Sequence, residues 1–426
     1  MVAVPIRGGG KPQDIVKGAN IGSDPMYQTF RETGIFVGQD AWFCCFDHPD
    51  AGLRGVLELE NLLGGGRIRN INGMVLLIHQ CISKTLPLDA VWPDVQILFN
   101  YNVACDRRDL TLVTRRMFEF LECNKICFLD EACLTARGTG LPSALVVDIG
   151  TTSTKVQPVY ENITMRDASK VAKIGGEHCT NYLETLLHAQ KNERFSSQLQ
   201  RRRKQIARKL KESYAFVSDN FDQYVEDFGE FVFEAVQVIS PSKVGNPKPK
   251  IACSKAARST DMTAQIRVKE AVPLTDGTVL VFTMDIERFY CVEVLFKPDL
   301  HEECKNQLSL HEVILQSVEL IDPLVRNEVC ECIVLSGKSS LIAGLKERLR
   351  NELRPGMIKL GVPDFRIIIA EDANKPPLYP SASWKGVDLC VKRATDPFVP
   401  YNIEPQHFVT ANDYEEHGNT LEPNLF

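Results

Sequence analysis

Residues 144–155 read Ala-Leu-Val-Val-Asp-Ile-Gly-Thr-Thr-Ser-Thr-Lys. Ala144–Ile149 is an apolar run broken only by Asp148, the pattern of a strand buried on both faces. It runs into a turn of small residues, Gly150 to Ser153, and a second strand is predicted over Val156–Tyr160. Such a turn exposes successive backbone N–H groups that cradle a phosphate, and its glycine allows close approach. Asp148, at the strand end, is placed to hold a Mg²⁺ ion through water. A plain hairpin turn with no ligand is the other reading of the same residues.

A second glycine-bearing strand end lies at Ile333–Leu335, followed by Ser336, Gly337 and Lys338. In open α/β sheets, ligands sit beyond the carboxyl ends of strands. Gly150, Thr151, Thr152, Ser336, Gly337 and Lys338 are therefore candidate nucleotide-binding positions beside Asp148. Lys338 either reaches a phosphate or is simply solvated.

Around these loops, strands alternate with helices, which indicates α/β architecture. Strands are predicted within 34–40, 54–60, 95–99, 126–128 and 365–370. Helices are predicted over 110–121, 130–136, 287–296, 307–319 and 341–353. Residues 180–235 read as helix-rich and charged, 272–282 as a hairpin turning at Thr275-Asp276-Gly277, and the tail after Pro397 as irregular. Residues 240–265 are rich in Pro, Lys and Ser and lack periodicity, the mark of a solvated insertion. They carry five Lys or Arg and one Asp.

Composition excludes several classes. The 426 residues suffice for two or three domains, with 44% hydrophobic and 24% charged, an ordinary globular balance. A net charge of −6 gives no general attraction to nucleic acid or anionic membrane. The N-terminal residues do not read as a signal peptide, and no run reaches the ~20 apolar residues of a membrane span. The 14 cysteines are scattered without zinc spacing. Cys330 and Cys332, and Cys123 and Cys127, read as buried thiols. Arg201-Arg-Arg-Lys204 with Arg208, Lys209 and Lys211 is either a nuclear-import or DNA-contacting cluster or a solvated helix face.

Further motifs carry a resemblance. Leu274-Thr-Asp-Gly-Thr-Val-Leu280 followed by Glu287-Arg-Phe-Tyr…Leu295-Phe-Lys-Pro298 resembles a hairpin and helix start of the actin family. Ile333-Val-Leu-Ser-Gly337…Gly344, Trp384-Lys-Gly386, Phe36-Val-Gly-Gln-Asp-Ala41, Arg54-Gly-Val-Leu-Glu-Leu59, Pro158-Val-Tyr-Glu161 and Asp413-Tyr-Glu-Glu-His-Gly418 extend it, in order, over nearly the whole chain. The chain resembles divergent actin-related proteins, Val146–Gly150 leaning towards the nuclear, chromatin-complex class.

The resemblance implies a two-lobed fold of the actin, hexokinase and heat-shock-protein ATPase superfamily, each lobe a mixed sheet flanked by helices. The first lobe is expected over 1–140 and 380–426. The second is expected over 141–379, with a helical subdomain over about 175–285 and a basic insertion over about 236–270. Val2–Pro12 lines up just after the family's first hairpin. The first strand, first phosphate loop and its lysine have no counterpart, so either the chain starts further upstream or the first lobe is rearranged.

By the same resemblance, Glu131 stands where a water-orienting glutamine is expected and Asp167 where a histidine assists the attacking water. Glu177 and Leu210 stand where an arginine and a glutamate hold ribose and base. A carboxylate near the γ-phosphate adds charge where the transition state already has excess. Losing five or six contacts of ~1–3 kcal/mol each exceeds the ~8 kcal/mol of a micromolar affinity. ATP or ADP with Mg²⁺ is thus expected to bind loosely at best, and hydrolysis is not expected. Family partners insert a helix into a cleft between the lobes. Here Thr135, Ala136, Gly138, Cys390, Arg393 and Thr395 would line it, unless the groove is unused. The implied role is a non-catalytic subunit of a nuclear chromatin-remodelling or histone-acetyltransferase complex. The partners are other subunits and possibly actin, with no membrane and only indirect nucleic-acid contact. The alternatives are a cytoskeletal capping, nucleating or motor-adaptor component, or a weak ATPase.

Overall fold

The structure, a computed structural model, describes residues 2–5, 36–37, 57–60, 62–64, 67–83, 95–189, 197–218, 221, 237–239, 268–273, 279–284, 286–370, 381–393 and 408–417. The insertion at 240–265, the turn at 275–277 and Thr395 lie outside them. The chain divides into two compact units, residues 1–131 with 390–426, and residues 132–389. The first boundary falls before, and the second after, the positions expected from the sequence. The helices flanking both pack into the second unit.

In the first unit, β1 (Val2–Pro5), β2 (Phe36–Val37) and β3 (Leu57–Glu60) form an antiparallel sheet in the order β2-β1-β3. A short pair, β4 (Leu63–Gly64) and β5 (Arg67–Ile68), leads into α1 (Ile71–Ser83). Then β6 (Gln96–Tyr101), α2 (Arg107–Leu121) and β7 (Lys125–Asp130) form a parallel strand–helix–strand unit. Asp106 caps α2 by accepting from the Arg108 N–H at 2.8 Å. Leu110, Val113, Met117 and Leu121 recur at helical spacing and all are buried. Met117 and Leu121 meet Ile97 of β6 and Ile126 of β7 in one core cluster.

The second unit opens with α3 (Glu131–Gly138) and the hairpin of β8 (Ala144–Ile149) and β9 (Thr154–Tyr160). The strands β10 (Ile163–Thr164) and β11 (Lys170–Ala172) pair with β9. Beyond them come α4 (Gly176–Ala189), α5 (Ser197–Tyr214) and a small antiparallel sheet of β12 (Gln237–Ile239), β13 (Val268–Pro273) and β14 (Val279–Met284). The predicted hairpin is present, with Val272 opposite Leu280. Then follow α6 (Glu287–Glu293), α7 (Leu310–Leu320), α8 (Pro323–Cys330), β15 (Cys332–Ser336), α9 (Leu345–Lys359) and β16 (Arg366–Ile369). The main sheet has the order β10-β9-β8-β15-β16, with β8, β15 and β16 parallel and β9 antiparallel.

Alternation along β8 sends side chains to two different cores. Leu145, Val147 and Ile149 join Ile333 and Leu335 in the large core with α6, α7 and α9. Ala144 and Val146 face the other way, with Val159, Cys332 and Val334, under Ala132 and Ala136 of α3. This packing draws α3 into the second unit. The start of α10 (Ala382–Arg393) lies against α3, where a Cβ on Gly386 would sit 2.0 Å from the Leu134 carbonyl oxygen.

The chain then returns to the first unit. β17 (Phe408–Thr410) adds to β7, and α11 (Ala411–His417) follows. The expectation of an irregular tail is corrected here. Thr410 and Asp413 cap each other, the Thr410 N–H donating to Asp413 Oδ2 at 2.9 Å and the Asp413 N–H to Thr410 Oγ1 at 3.1 Å. The helix predicted to stop at 353 also runs on. Leu353 and Met357 are both fully buried, and that packing carries α9 through Pro355.

Candidate functional site

The parallel pairing of β8 and β15 brings the two glycine turns side by side. Ser336, the last residue of β15, lies opposite Asp148, one residue before the end of β8. The hairpin register sets Lys155 opposite Asp148 on the other side. Lys155 Nζ sits 2.6 Å from Asp148 Oδ2, and the two side chains are only 10% and 14% exposed. Ser336 Oγ donates to Asp148 Oδ1 at 3.4 Å.

Gly337 has φ 82° and ψ 152°, backbone that only glycine adopts without strain. A Cβ there would lie 2.5 Å from the Ile149 carbonyl oxygen and 2.7 Å from Asp148 Oδ1. Glycine is thus required for the second turn to close against the first. From Gly337 the chain enters a tight turn over Lys338–Leu341, in which Lys338 is exposed.

The start of α4 completes the site. The Gly176 N–H donates to the Gly150 carbonyl at 2.9 Å and the Glu177 N–H to the Thr151 carbonyl at 2.7 Å. The Gly150 N–H donates to the Ser153 carbonyl, and the Gly175 N–H to His178 Nδ1 at 3.1 Å. The free N–H groups of a helix start normally suit an anion. At this helix start and at Gly150, four of those donors are already committed within the protein. Burial holds the His178 imidazole below its ordinary pKa, against the pull of the Glu177 and Glu303 carboxylates.

The structure thus brings Asp148, Gly150, Ser336 and Gly337 together, with Thr151 exposed, Thr152 half-buried and Lys338 at the rim. Other expected residues are elsewhere. Asp167 lies exposed in the turn Arg166–Ala168, away from the loop. The charged group of β9 that faces Asp148 is Lys155, which the sequence reading left without a role. Leu210 is a core residue at 1% exposure, and its neighbour Lys211 faces the site, donating to the Gly176 carbonyl at 2.6 Å. Glu177 is paired with Lys204. Of the basic cluster on α5, Lys209 also pairs, with Glu270 at 3.3 Å, so this segment is partly a packing face. Thr135, Ala136 and Cys390 are buried at 2%, 0% and 2% exposure. Gly138 packs on the Ala382 carbonyl, and Arg393 is the last residue of α10.

The donor set does not fit Mg²⁺, which demands near-octahedral oxygen coordination and keeps several waters. One oxygen of Asp148 is held by the Lys155 ammonium group and the other accepts from Ser336 Oγ. Among the described residues no group of three or more His, Cys, Asp or Glu side chains is arranged to hold a metal ion. Cys123, Cys127 and Cys330 carry free, buried thiols. Burial pushes Cys330 up to about 12 and Cys123 and Cys127 up to about 11, so these are unreactive packing groups. No helix of the described residues is long and apolar enough to cross a membrane.

A family model described as Actin matches residues 43–421. The chain is similar to a putative actin-29 of Dictyostelium discoideum, 22% identical over 72% of this chain and 66% of that protein. It is also similar to a centractin of Schizosaccharomyces pombe, 24% identical over 75% of this chain and 71% of that protein. The matched region thus spans about two thirds of the length of these relatives.

Proposed function

The chain belongs to the actin family, and on that premise we propose that it serves as a non-catalytic structural subunit of a multiprotein assembly. The observation that supports this most directly is the Asp148–Lys155 ion pair, at 2.6 Å, where a nucleotide-bound metal would need Asp148 free. Glu131 points the same way, because a carboxylate disfavours attack on a phosphoryl group already rich in negative charge. Loosely held ATP or ADP is compatible with this role, and hydrolysis is no part of it.

The finer reading is a nuclear chromatin-remodelling or histone-acetyltransferase complex, with other subunits, actin among them, as partners. It draws on the resemblance of Val146–Gly150 to the nuclear class and on the basic composition of 240–265. Affinity purification of the tagged chain with mass spectrometry is the test. Remodeller or acetyltransferase subunits are expected, and recovery of tubulin or actin networks instead would remove the nuclear reading. The second reading, a cytoskeletal capping, nucleating or adaptor component, draws on the similarity to a centractin and a putative actin. Sedimentation of purified protein with and without ATP separates a polymer former from a soluble subunit. Steady phosphate release abolished by Asp148→Ala would overturn the non-catalytic reading.

A further inference from the structure

We infer that the Lys155 ammonium is a built-in substitute for a divalent cation, locking the two glycine turns so that the second unit closes without a metal–nucleotide complex. The inference concerns how the site is held and rests on the non-catalytic reading only through Asp148. Which assembly the chain joins does not bear on it.

Three observations converge. The first is the register. The four-residue turn 150–153 makes Asp148 and Lys155 direct cross-strand partners, so the contact is set by the backbone and not by a wandering surface side chain. The second is enclosure. Asp148 Oδ2 meets Lys155 Nζ at 2.6 Å, with the two side chains 14% and 10% exposed, while Oδ1 accepts from Ser336 Oγ at 3.4 Å. Both carboxylate oxygens are thus engaged by side chains of the neighbouring strands. The third is the state of the surrounding donors. The Gly150 N–H closes the turn on the Ser153 carbonyl, and the Gly176 and Glu177 N–H groups tie the helix start to the Gly150 and Thr151 carbonyls.

A cation is needed here for an elementary reason. Asp148 lies one residue before the end of β8, a strand packed between two cores, and an ionised carboxylate there without a counter-charge is costly. A tethered ammonium meets that need permanently, whereas a metal ion does so only when bound. The closed state is therefore expected to be insensitive to chelators and to nucleotide supply.

The test compares the full chain with Lys155→Met, which keeps the length of the side chain and removes its charge. Thermal unfolding is followed with EDTA, with MgCl₂, and with MgCl₂ plus ATP, and Mn²⁺ binding is titrated by electron paramagnetic resonance. The natural chain is expected to unfold at one temperature in all three conditions and to bind no Mn²⁺ that Asp148→Asn abolishes. Lys155→Met is expected to unfold at least ~5 °C lower in EDTA. It should recover part of that loss with Mg²⁺ and bind Mn²⁺ at least tenfold more tightly than the natural chain. Asp148-dependent Mn²⁺ binding by the natural chain would overturn the inference, and that measurement stands even if the variant fails to fold. A folded Lys155→Met that gains no metal affinity would also overturn it. Either failure leaves the partner and phosphate-release tests of the proposed function unaffected.

Discussion

A Cβ placed on Gly138 would lie 1.9 Å from the carbonyl oxygen of Ala382. The relation is reciprocated one turn away, where a Cβ on Gly386 would lie 2.0 Å from the carbonyl oxygen of Leu134. The two helices α3 and α10 therefore cross with their backbones in contact. Helix propensity alone favours alanine over glycine by ~1 kcal/mol. Forcing a methyl into a contact this short costs ~1–3 kcal/mol or more, because the obstacle is backbone and not a movable side-chain tip. Gly386→Ala is therefore expected to lower the urea midpoint at unchanged slope, reversing the sign that propensity gives. A midpoint at or above that of the natural chain would show that the helices separate without cost.

Gly337→Ala is expected to be worse. The left-handed backbone itself costs ~1–3 kcal/mol for a residue with a side chain. The methyl would also press on Ile149 and Asp148, which are part of the main sheet. We expect a loss above 3 kcal/mol on these two grounds together, with the Asp148–Lys155 contact disturbed. Unfolding in urea measures the first. For the second, the stabilising effect of Lys155, taken as the cost of Lys155→Met, should shrink in the Gly337→Ala background.

Much of this was legible in the sequence, and the failures have physical causes. The apolar run 144–149 announced β8, and the glycines at 150 and 337 announced the turns, because both signals are local. Lys155 was equally available. A four-residue turn between antiparallel strands puts the residues flanking it by two positions face to face. The missed helix α8 carried Asp322 followed by Pro323, an N-cap with proline at the first position. Leu210, which stands where the resemblance expects a glutamate, shares its buried stripe with Ile206, four residues earlier. What the sequence hides is tertiary. Nothing local tells that Leu353 and Met357 will carry a helix through Pro355, or that Thr135 and Ala136 are packed beneath other elements.

Stability at mildly acidic pH is expected to depend on His178. Burial keeps its pKa depressed against the pull of Glu177 and Glu303, while its Nδ1 accepts from the Gly175 N–H. A depressed folded pKa means that the unfolded chain binds the proton first. The contribution is complete above the unfolded value of ~6.5 and is lost as pH falls below it. His178→Asn places an amide oxygen near the Nδ1 position and removes the titration. Its melting temperature should fall less steeply than that of the natural chain between pH 7 and pH 5.5. Equal slopes would mean that His178 does not carry the effect.

Glu293 is expected to act with the opposite sign, which is why single variants are needed to resolve either slope. It is 1% exposed, and burial raises its carboxyl to about 7 despite Arg348, whose Nη2 lies 3.2 Å from Oε1. A raised folded pKa means that the native state binds the proton first, so stability falls as pH rises from ~4.3, the ordinary value, through about 7. Arg348 has further partners, Glu352 Oε1 at 2.7 Å and the Ser218 carbonyl at 3.0 Å. Glu293→Gln therefore leaves the guanidinium paired and should flatten the slope at little cost near pH 8. Removing the other partner is different. Arg348→Met strands a buried carboxylate and should cost ~3–5 kcal/mol at pH 8. At pH 5.5 the carboxyl is protonated before it is stranded, so the loss there must be smaller. Urea midpoints of Arg348→Met at the two pH values decide the matter, and equal losses would mean that Glu293 stays ionised throughout.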